Sequence, residues 1–140
     1  MQSQSSAPNE LLTRKASVLI VDDEPDILTV FKQSLDSAGY STYGFVNPVA
    51  ALEHFTENPQ NYQFIISDIR MPRLSGFELA REARKVSQDV KIVLMSAFEI
   101  QMHEFNKVLP STRVDALLTK PVTTEKLKSV LETLAEQKSV

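Results

Sequence analysis

The stretch Phe64-Ile-Ile-Ser-Asp-Ile-Arg-Met-Pro72 decides the fold, because an apolar run stops there abruptly at an acidic residue. Short apolar segments of this kind are typical of a strand that is buried on both faces of a parallel sheet. Asp68 stands where that strand ends, and in an open parallel sheet ligands bind at the carboxyl ends of the strands. An isolated aspartate at a strand end more often meets solvent. The hypothesis that Asp68 is functional therefore depends on the rest of the chain.

Four further segments, residues 16–21, 41–46, 91–95 and 114–119, are apolar or β-prone and are predicted to be strands. Apolar residues recur at helical spacing between them. We expect helices to begin at Pro25, after Asn47, after Gly76, near Glu99 and after Thr123 or Thr124. The helix near Glu99 is expected to reach Leu109, and Gly39 is expected to end the first helix in a left-handed conformation. Five strands alternating with five helices predict an α/β fold with a parallel sheet and helices on both faces.

Composition points to one globular domain. The chain has 140 residues, no cysteine, 42% hydrophobic and 24% charged residues. Its formal charge of −3 gives no support for general nucleic-acid binding. It shows no signal peptide and no long apolar run, so the expectation is a cytoplasmic protein that is not in a membrane. Residues 1–14 are predicted to be a flexible extension, 15–137 the folded domain and 138–140 a short tail.

Polar residues end four of the predicted strands, and a parallel sheet would gather them at one edge: Asp22, Asp23, Asp68, Ser96 and Lys120. Carboxylates held close together repel one another unless a cation compensates them. An all-oxygen set suits Mg²⁺ or Mn²⁺. An aspartate beside such a cation and an ammonium group can accept a phosphoryl group. Asp68 is therefore the candidate phosphoacceptor, with the Lys120 ammonium and the Ser96 hydroxyl as contacts for the phosphoryl oxygens.

Each of these residues also has a plainer interpretation. Asp22 and Asp23 alone would more often cap the helix that follows, and Lys120 alone would lie in a solvated loop. It is the occurrence of all of them at predicted strand ends that favours a common site. The two histidines, His54 and His103, are interpreted as residues on helix surfaces.

Taken together, the motifs at residues 21–24, 67–72, 95–97 and 119–121, with Gly76, resemble the receiver domain of two-component response regulators, and the chemotaxis regulators in particular. The likeness covers about residues 16–137, and its motifs recur in the same order as in the family. The resemblance implies a flavodoxin-like, doubly wound sheet of five strands in the order 2-1-3-4-5 with five helices. It also implies a cis peptide bond before Pro121.

The resemblance further implies roles for individual residues. Asp68 corresponds to the phosphorylated aspartate, Lys120 to the phosphate-binding lysine and Ser96 to the switch hydroxyl, with the backbone of Ala97 beside it. The metal ligands would be Asp22, Asp23, Asp68 and the backbone carbonyl of Arg70.

The chain departs from the family at three positions that modulate the site. Leu117 stands where the family usually has an aromatic switch residue, so we expect activation to be transmitted mainly through the loop after Ser96. Arg70 and Phe98 stand two residues after the aspartate and two after the switch hydroxyl. Both are bulky, and we expect them to slow hydrolysis of the phosphoryl group.

The predicted function is that of a stand-alone response regulator, since Val140 follows closely on the last predicted helix. It would accept a phosphoryl group from a sensor histidine kinase or phosphotransfer protein, without being an enzyme in the usual sense. Output would pass to another protein through the face made by the fourth helix, fifth strand and fifth helix, in a monomer or weak homodimer. One alternative is a pseudo-receiver that binds partners without phosphorylation. A Mg²⁺-dependent aspartyl phosphatase is a weaker one, because such enzymes usually carry a second aspartate where this chain has Arg70.

Overall fold

The computed structural model describes residues 16–98 and 112–137. Three predicted features lie outside the described residues: the N-terminal extension 1–14, the helix from Glu99 to Leu109 with His103, and the tail 138–140. The stated domain limits of 15 and 137 remain predictions.

Five parallel strands of the described residues form a single sheet and, numbered along the chain, lie in the order 2-1-3-4-5, as predicted. Three of them, at residues 17–21, 64–68 and 91–96, consist mainly of the apolar or β-branched residues that favour a buried strand. The register places Asp68, the last residue of its strand, beside Met95 of the next strand. The strands are β1 Ser17–Val21, β2 Ser41–Phe45, β3 Phe64–Asp68, β4 Lys91–Ser96 and β5 Ala116–Thr119.

Four α-helices lie within the described residues: α1 Pro25–Ser37, α2 Pro48–Glu57, α3 Gly76–Val86 and α4 Thr124–Glu136. A short 3₁₀ helix, Pro59–Asn61, precedes β3. Side chains cap the starts of three of the α-helices. The Asn47 side chain accepts hydrogen bonds from backbone N–H groups of α2, Ser75 and Glu78 form a capping box on α3, and Thr123 caps α4. Gly39 has φ 101°, which confirms the predicted left-handed end of α1.

The sheet has a hydrophobic core on each face, which confirms that helices cover both sides. Leu19 and Ile65 point to one face, where they belong to a cluster with Phe55 of α2 and Leu79 of α3. The next residue of each strand, Ile20 and Ile66, points to the other face and joins Phe31, Leu127 and Leu131 of α1 and α4. Because strand side chains alternate, this double burial explains why the strands read as continuous apolar runs.

The fifth strand is shorter than predicted, beginning at Ala116 and not at Val114. The Asp115 backbone N–H still donates to the Ile92 carbonyl at 2.8 Å, but the Ile92 N–H donates to the Asp115 side chain, also at 2.8 Å. A carboxylate thus takes the hydrogen bond that a backbone carbonyl would accept in a continued strand.

His54 lies on α2, as predicted, but it is half-buried and engaged with other aromatic side chains. Its Nε2 lies 2.6 Å from the Tyr62 hydroxyl, and its ring packs 5.2 Å from that of Phe45. The prediction of a helix-surface residue was therefore incomplete. Among the described helices, none combines the length and the apolar character that crossing a membrane requires.

Candidate functional site

The predicted site residues meet in a cleft of about 290 Å³ at the carboxyl edge of the sheet. The cleft lies where β1, β3, β4 and β5 end, as expected for an open parallel sheet. It is lined by Asp23, Glu24, Asp68, Ile69, Arg70, Ser96, Ala97 and Lys120. Residues from four separate stretches of sequence are thereby brought to one place.

Asp68 is held in one orientation by two hydrogen bonds. The Ile69 backbone N–H donates to Oδ1 at 2.9 Å, and the Lys120 Nζ donates to Oδ2 at 3.0 Å. The residue is only 6% exposed, yet it lines the cleft. A carboxylate fixed in this way presents its oxygens to the cleft without having to reorganise.

Asp22 lies beneath the cleft and is fully buried. Its Oδ1 accepts a hydrogen bond of 2.9 Å from the Glu24 N–H, whereas its buried Oδ2 has no hydrogen-bond partner among the described residues. Burial raises the pKa of Asp22, and the hydrogen bond from Glu24 and the charge of Lys120 offset that rise only in part. An orphaned carboxylate oxygen in the protein interior is costly unless another group binds it.

Three carboxylates of the described residues face the Lys120 ammonium. Its Nζ lies 3.0 Å from Asp68 Oδ2 and 3.8 Å from both Asp22 Oδ2 and Glu24 Oε1. Burial by itself would lower the pKa of Lys120, but the hydrogen bond to Asp68 and the surrounding negative charges outweigh it, so the pKa is raised. The Lys120–Pro121 peptide bond is cis, which confirms the expectation from the resemblance.

Glu24 is a site residue that sequence reasoning missed. Carboxylate oxygens of Asp22, Glu24 and Asp68 lie within 4.8 Å of one another, a spacing that a metal ion could bridge. Asp23, which was predicted in this role, is half-buried and also lines the cleft. Glu24 directly follows the predicted acidic pair, and that position was the only signal available in the sequence.

Of the remaining predicted residues, Ser96, Ala97 and Arg70 line the cleft. Ser96 is buried at the end of β4, and its Oγ accepts a hydrogen bond of 3.0 Å from the Phe98 N–H. The Arg70 guanidinium stacks 5.0 Å from the centre of the Phe98 ring, so the two bulky residues pair with each other. Leu117 does not reach the cleft lining; it is half-buried on β5 and packs against the core.

Gly76 allows α3 to approach the strand that carries Asp68. Its N–H donates to the Ile69 carbonyl at 2.8 Å. A Cβ atom at this position would lie 2.4 Å from the Asp68 carbonyl oxygen and 2.9 Å from the Ile69 Cα. Only a residue without a side chain fits there, because both neighbours are backbone atoms.

This geometry suits an anion and a divalent cation that bind side by side. The orphaned oxygen of Asp22 and the nearby carboxylates match the hard oxygen ligands that Mg²⁺ and Mn²⁺ prefer. Lys120 and the exposed backbone near Ala97 offer positive charge and hydrogen-bond donors to an anion.

Comparison with known proteins agrees with the motifs. Residues 18–132 match the family model described as the response regulator receiver domain. The response regulator receiver protein CpdR of Brucella abortus (strain 2308) is 33% identical over 81 residues, which cover 58% of this chain and 66% of that protein. The sensor protein EvgS of Escherichia coli (strain K12) is 34% identical over 123 residues, 88% of this chain but 10% of that protein. The chain thus corresponds to a small part of that sensor protein.

Solved structures show the same fold. The response regulator protein TrrA of Thermotoga maritima, in complex with Mg²⁺ and BeF, has a TM-score of 0.73 at 34% identity, covering 86% of this chain and 99% of that one. The chemotaxis protein CheY4 of Vibrio cholerae has a TM-score of 0.72 at 28% identity, covering 84% and 97%. The family match spans all five strands and the cleft residues from Asp22 to Lys120. The chain therefore belongs to the response regulator receiver domain family.

Proposed function

We propose that the chain is a phosphorylation-dependent switch that accepts a phosphoryl group on Asp68. The observation that carries this proposal is the fixed Asp68 carboxylate. It lies 3.0 Å from the Lys120 ammonium and within 4.8 Å of carboxylate oxygens of Asp22 and Glu24. Together these residues supply a nucleophile and the charge that phosphoryl transfer requires.

The cleft fits a divalent metal ion, for which Mg²⁺ or Mn²⁺ is the proposed cofactor. The buried Asp22 Oδ2 has no hydrogen-bond partner, as expected of an oxygen that serves a cation. Asp22, Asp23, Asp68 and the Arg70 carbonyl would hold the ion. When bound, the ion would neutralise charge on the phosphoryl oxygens. The Mg²⁺ and BeF complex of TrrA supports this assignment.

In the proposed reaction, a carboxylate oxygen of Asp68 attacks the phosphorus of a phosphohistidine on a sensor kinase or phosphotransfer protein. The new O–P bond forms as the N–P bond breaks, and the imidazole keeps the electron pair. Lys120 gives up its hydrogen bond to Asp68 in part and donates to a phosphoryl oxygen instead. The Ser96 hydroxyl, which accepts from the Phe98 N–H, is free to donate its own proton to another phosphoryl oxygen.

Arg70 and Phe98 are proposed to prolong the life of the phosphoryl group. Their stacked side chains stand beside the cleft and narrow the approach of an attacking water molecule. Arg70→Ala and Phe98→Ala are each expected to shorten the phosphoryl lifetime. An unchanged lifetime in both variants would contradict this role.

The output is proposed to pass to a downstream protein through the face that includes β5 and α4, in a cytoplasmic monomer or weak homodimer without nucleic-acid binding. Leu117 packs against the core and does not line the cleft. The loop that begins at Ser96 is therefore the proposed route by which phosphorylation of Asp68 changes the output face. Amide hydrogen exchange should differ between the phosphorylated and free forms from residue 96 onward. The same exchange in both forms would exclude that route.

The direct test is the intact mass of the protein after incubation with Mg²⁺ and a small acyl phosphate or phosphoramidate. We expect a phosphoryl adduct that is lost on chelation and in Asp68→Asn but kept in Asp89→Asn, a matched change at an exposed aspartate. An adduct that persists in Asp68→Asn would place the phosphoryl group elsewhere. Mg²⁺ binding without an adduct, even with a kinase, would favour the phosphorylation-independent pseudo-receiver.

A further inference from the structure

Glu24 is the N-cap residue of α1, but its side chain does not cap the helix. The residue at this position usually folds its side chain back onto the first backbone N–H groups. Glu24 makes no side-chain cap hydrogen bond, although it directly precedes Pro25 and α1. Its carboxylate lies instead beside the cleft, with Oε1 at 3.8 Å from Lys120 Nζ.

The backbone of Glu24 makes two hydrogen bonds, whereas its side chain is largely exposed. Its N–H donates to Asp22 Oδ1 at 2.9 Å, and its carbonyl accepts from the Leu28 N–H at 3.1 Å. The side chain is 60% exposed, whereas the side chains of Asp22 and Asp68 are 0% and 9% exposed. Among the three described acids that face Lys120, Glu24 is the exposed one and has room to follow the ammonium when it moves.

Asp22 and Asp68 face both Lys120 and the place where a divalent cation would bind. The ammonium and the cation would have to share the same carboxylate oxygens, since Lys120 Nζ lies 3.0 Å from Asp68 Oδ2 and 3.8 Å from the buried Asp22 Oδ2. Lys120 thus competes with the cation unless another negative group retains its ammonium close to the cleft.

We propose that Glu24 is a positioning residue for Lys120: its carboxylate retains the ammonium at the mouth of the cleft when Asp22 and Asp68 bind a divalent cation. This inference rests on the proposed function, because it assigns the partner of Lys120 in the cation-bound state. Glu24 thereby lowers the competition for Asp68 and holds Lys120 where an incoming phosphoryl oxygen would meet it.

Calorimetric titration with Mg²⁺ of the free protein tests the role of Glu24. Glu24→Gln is expected to weaken Mg²⁺ binding about two- to fivefold, the range of an ion pair that is partly exposed. Asp26→Asn removes the same charge from the exposed first turn of α1 and serves as the matched control, with affinity close to that of the wild type. Urea unfolding of each variant in the presence of a chelator confirms that the fold is intact.

The decisive comparison repeats the Glu24→Gln change in Lys120→Met. Without the ammonium there is nothing for Glu24 to retain. In this background Glu24→Gln should therefore weaken Mg²⁺ binding less than it does in the wild type, leaving only the effect of removing one negative charge near the cation. The same loss with and without Lys120 would overturn the proposal and make Glu24 a direct partner of the cation. Unchanged affinity in Glu24→Gln would also overturn it.

Wild-type binding separates this inference from the function on which it rests. A wild type that binds Mg²⁺ and is phosphorylated on Asp68, while Glu24→Gln behaves in the same way, contradicts the role of Glu24 alone. A wild type that neither binds Mg²⁺ nor forms an adduct contradicts the proposed function itself.

Discussion

Asp22 illustrates at the scale of one residue how a site can work against the stability of its own fold. A buried carboxylate costs folding free energy when it is ionised, and among the described residues Asp22 Oδ2 has no hydrogen-bond partner and lies 3.8 Å from the Lys120 ammonium. The raised pKa of Asp22 is a sign of that cost, since burial disfavours its charged form. Such a residue is explained by what it binds and not by what it contributes to packing.

Asp22→Asn is therefore expected to have opposite effects with and without a metal ion. With a chelator present, the neutral amide still accepts from the Glu24 N–H, and the free energy of unfolding should rise by about 1 kcal/mol. With saturating Mg²⁺ the wild type should gain stability by binding, whereas the variant should gain much less. Urea unfolding under both conditions measures this, and a variant that is less stable than the wild type in chelator would contradict it.

The raised pKa of Asp22 predicts that the free energy of unfolding in chelator depends on pH. In the folded protein the pKa of Asp22 lies above its ordinary value of 3.8. The contribution of this group to the stability of the native state is therefore fully present below pH 3.8. That stability is lost as the pH rises through the folded pKa and Asp22 ionises. In chelator, the stability advantage of Asp22→Asn should accordingly grow from acidic toward neutral pH. An advantage that stays constant over this range would show that ionisation of Asp22 is not its cause.

At the scale of elements, most of the secondary structure followed from local signals. Pro25, Asn47 and Thr123 mark helix starts by their fixed φ or their capping side chains, and the sequence shows them directly. The start of β5 could not be predicted, because it depends on a hydrogen bond from the Ile92 N–H to the Asp115 side chain, between residues 23 positions apart. Glu24 was missed for a related reason: which acid turns toward Lys120 depends on the path of the chain into α1.

The contact between α3 and β3 supports a prediction for Gly76. Gly76→Ala would ordinarily favour a helix, but here the Cβ would meet the Asp68 carbonyl oxygen at 2.4 Å. We expect a loss of about 2 kcal/mol in unfolding free energy, because backbone on both sides must shift. Phosphorylation of Asp68 should slow as well.

Gly44→Ala is the matched control for that change. The three atoms nearest to its added Cβ would all belong to the Leu28 side chain, the closest at 3.0 Å, and this flexible group can move aside. Its effect on stability should be clearly smaller, and phosphorylation should continue at the wild-type rate. Equal losses in the two variants would mean that the approach of α3 to Asp68 has no special importance.

At the scale of the whole molecule, one buried arginine ties together elements that are distant in sequence. The Arg84 guanidinium on α3 donates to the Val90 carbonyl at 2.6 Å and to the Arg113 carbonyl at 2.8 Å. It also lies 3.2 Å from the Asp115 carboxylate, and both side chains of that ion pair are less than 10% exposed. The end of α3, the turn before β4 and the start of β5 are thus joined at the edge of the sheet opposite the cleft.

Arg84→Met should cost about 3 kcal/mol of unfolding free energy, because it leaves Asp115 buried without its main cation and removes the donors to the buried Val90 carbonyl and the partly buried Arg113 carbonyl. Arg81→Met is the control on the same helix, since Arg81 is half-exposed and should change stability by less than about 0.5 kcal/mol. Chemical unfolding in urea measures both. Because the Arg84 contacts lie at the opposite edge of the sheet from Asp68, the folded Arg84→Met protein should bind Mg²⁺ with wild-type affinity. A loss of affinity that exceeds the unfolded fraction would show instead that this edge is coupled, through β5, to Lys120 and the site.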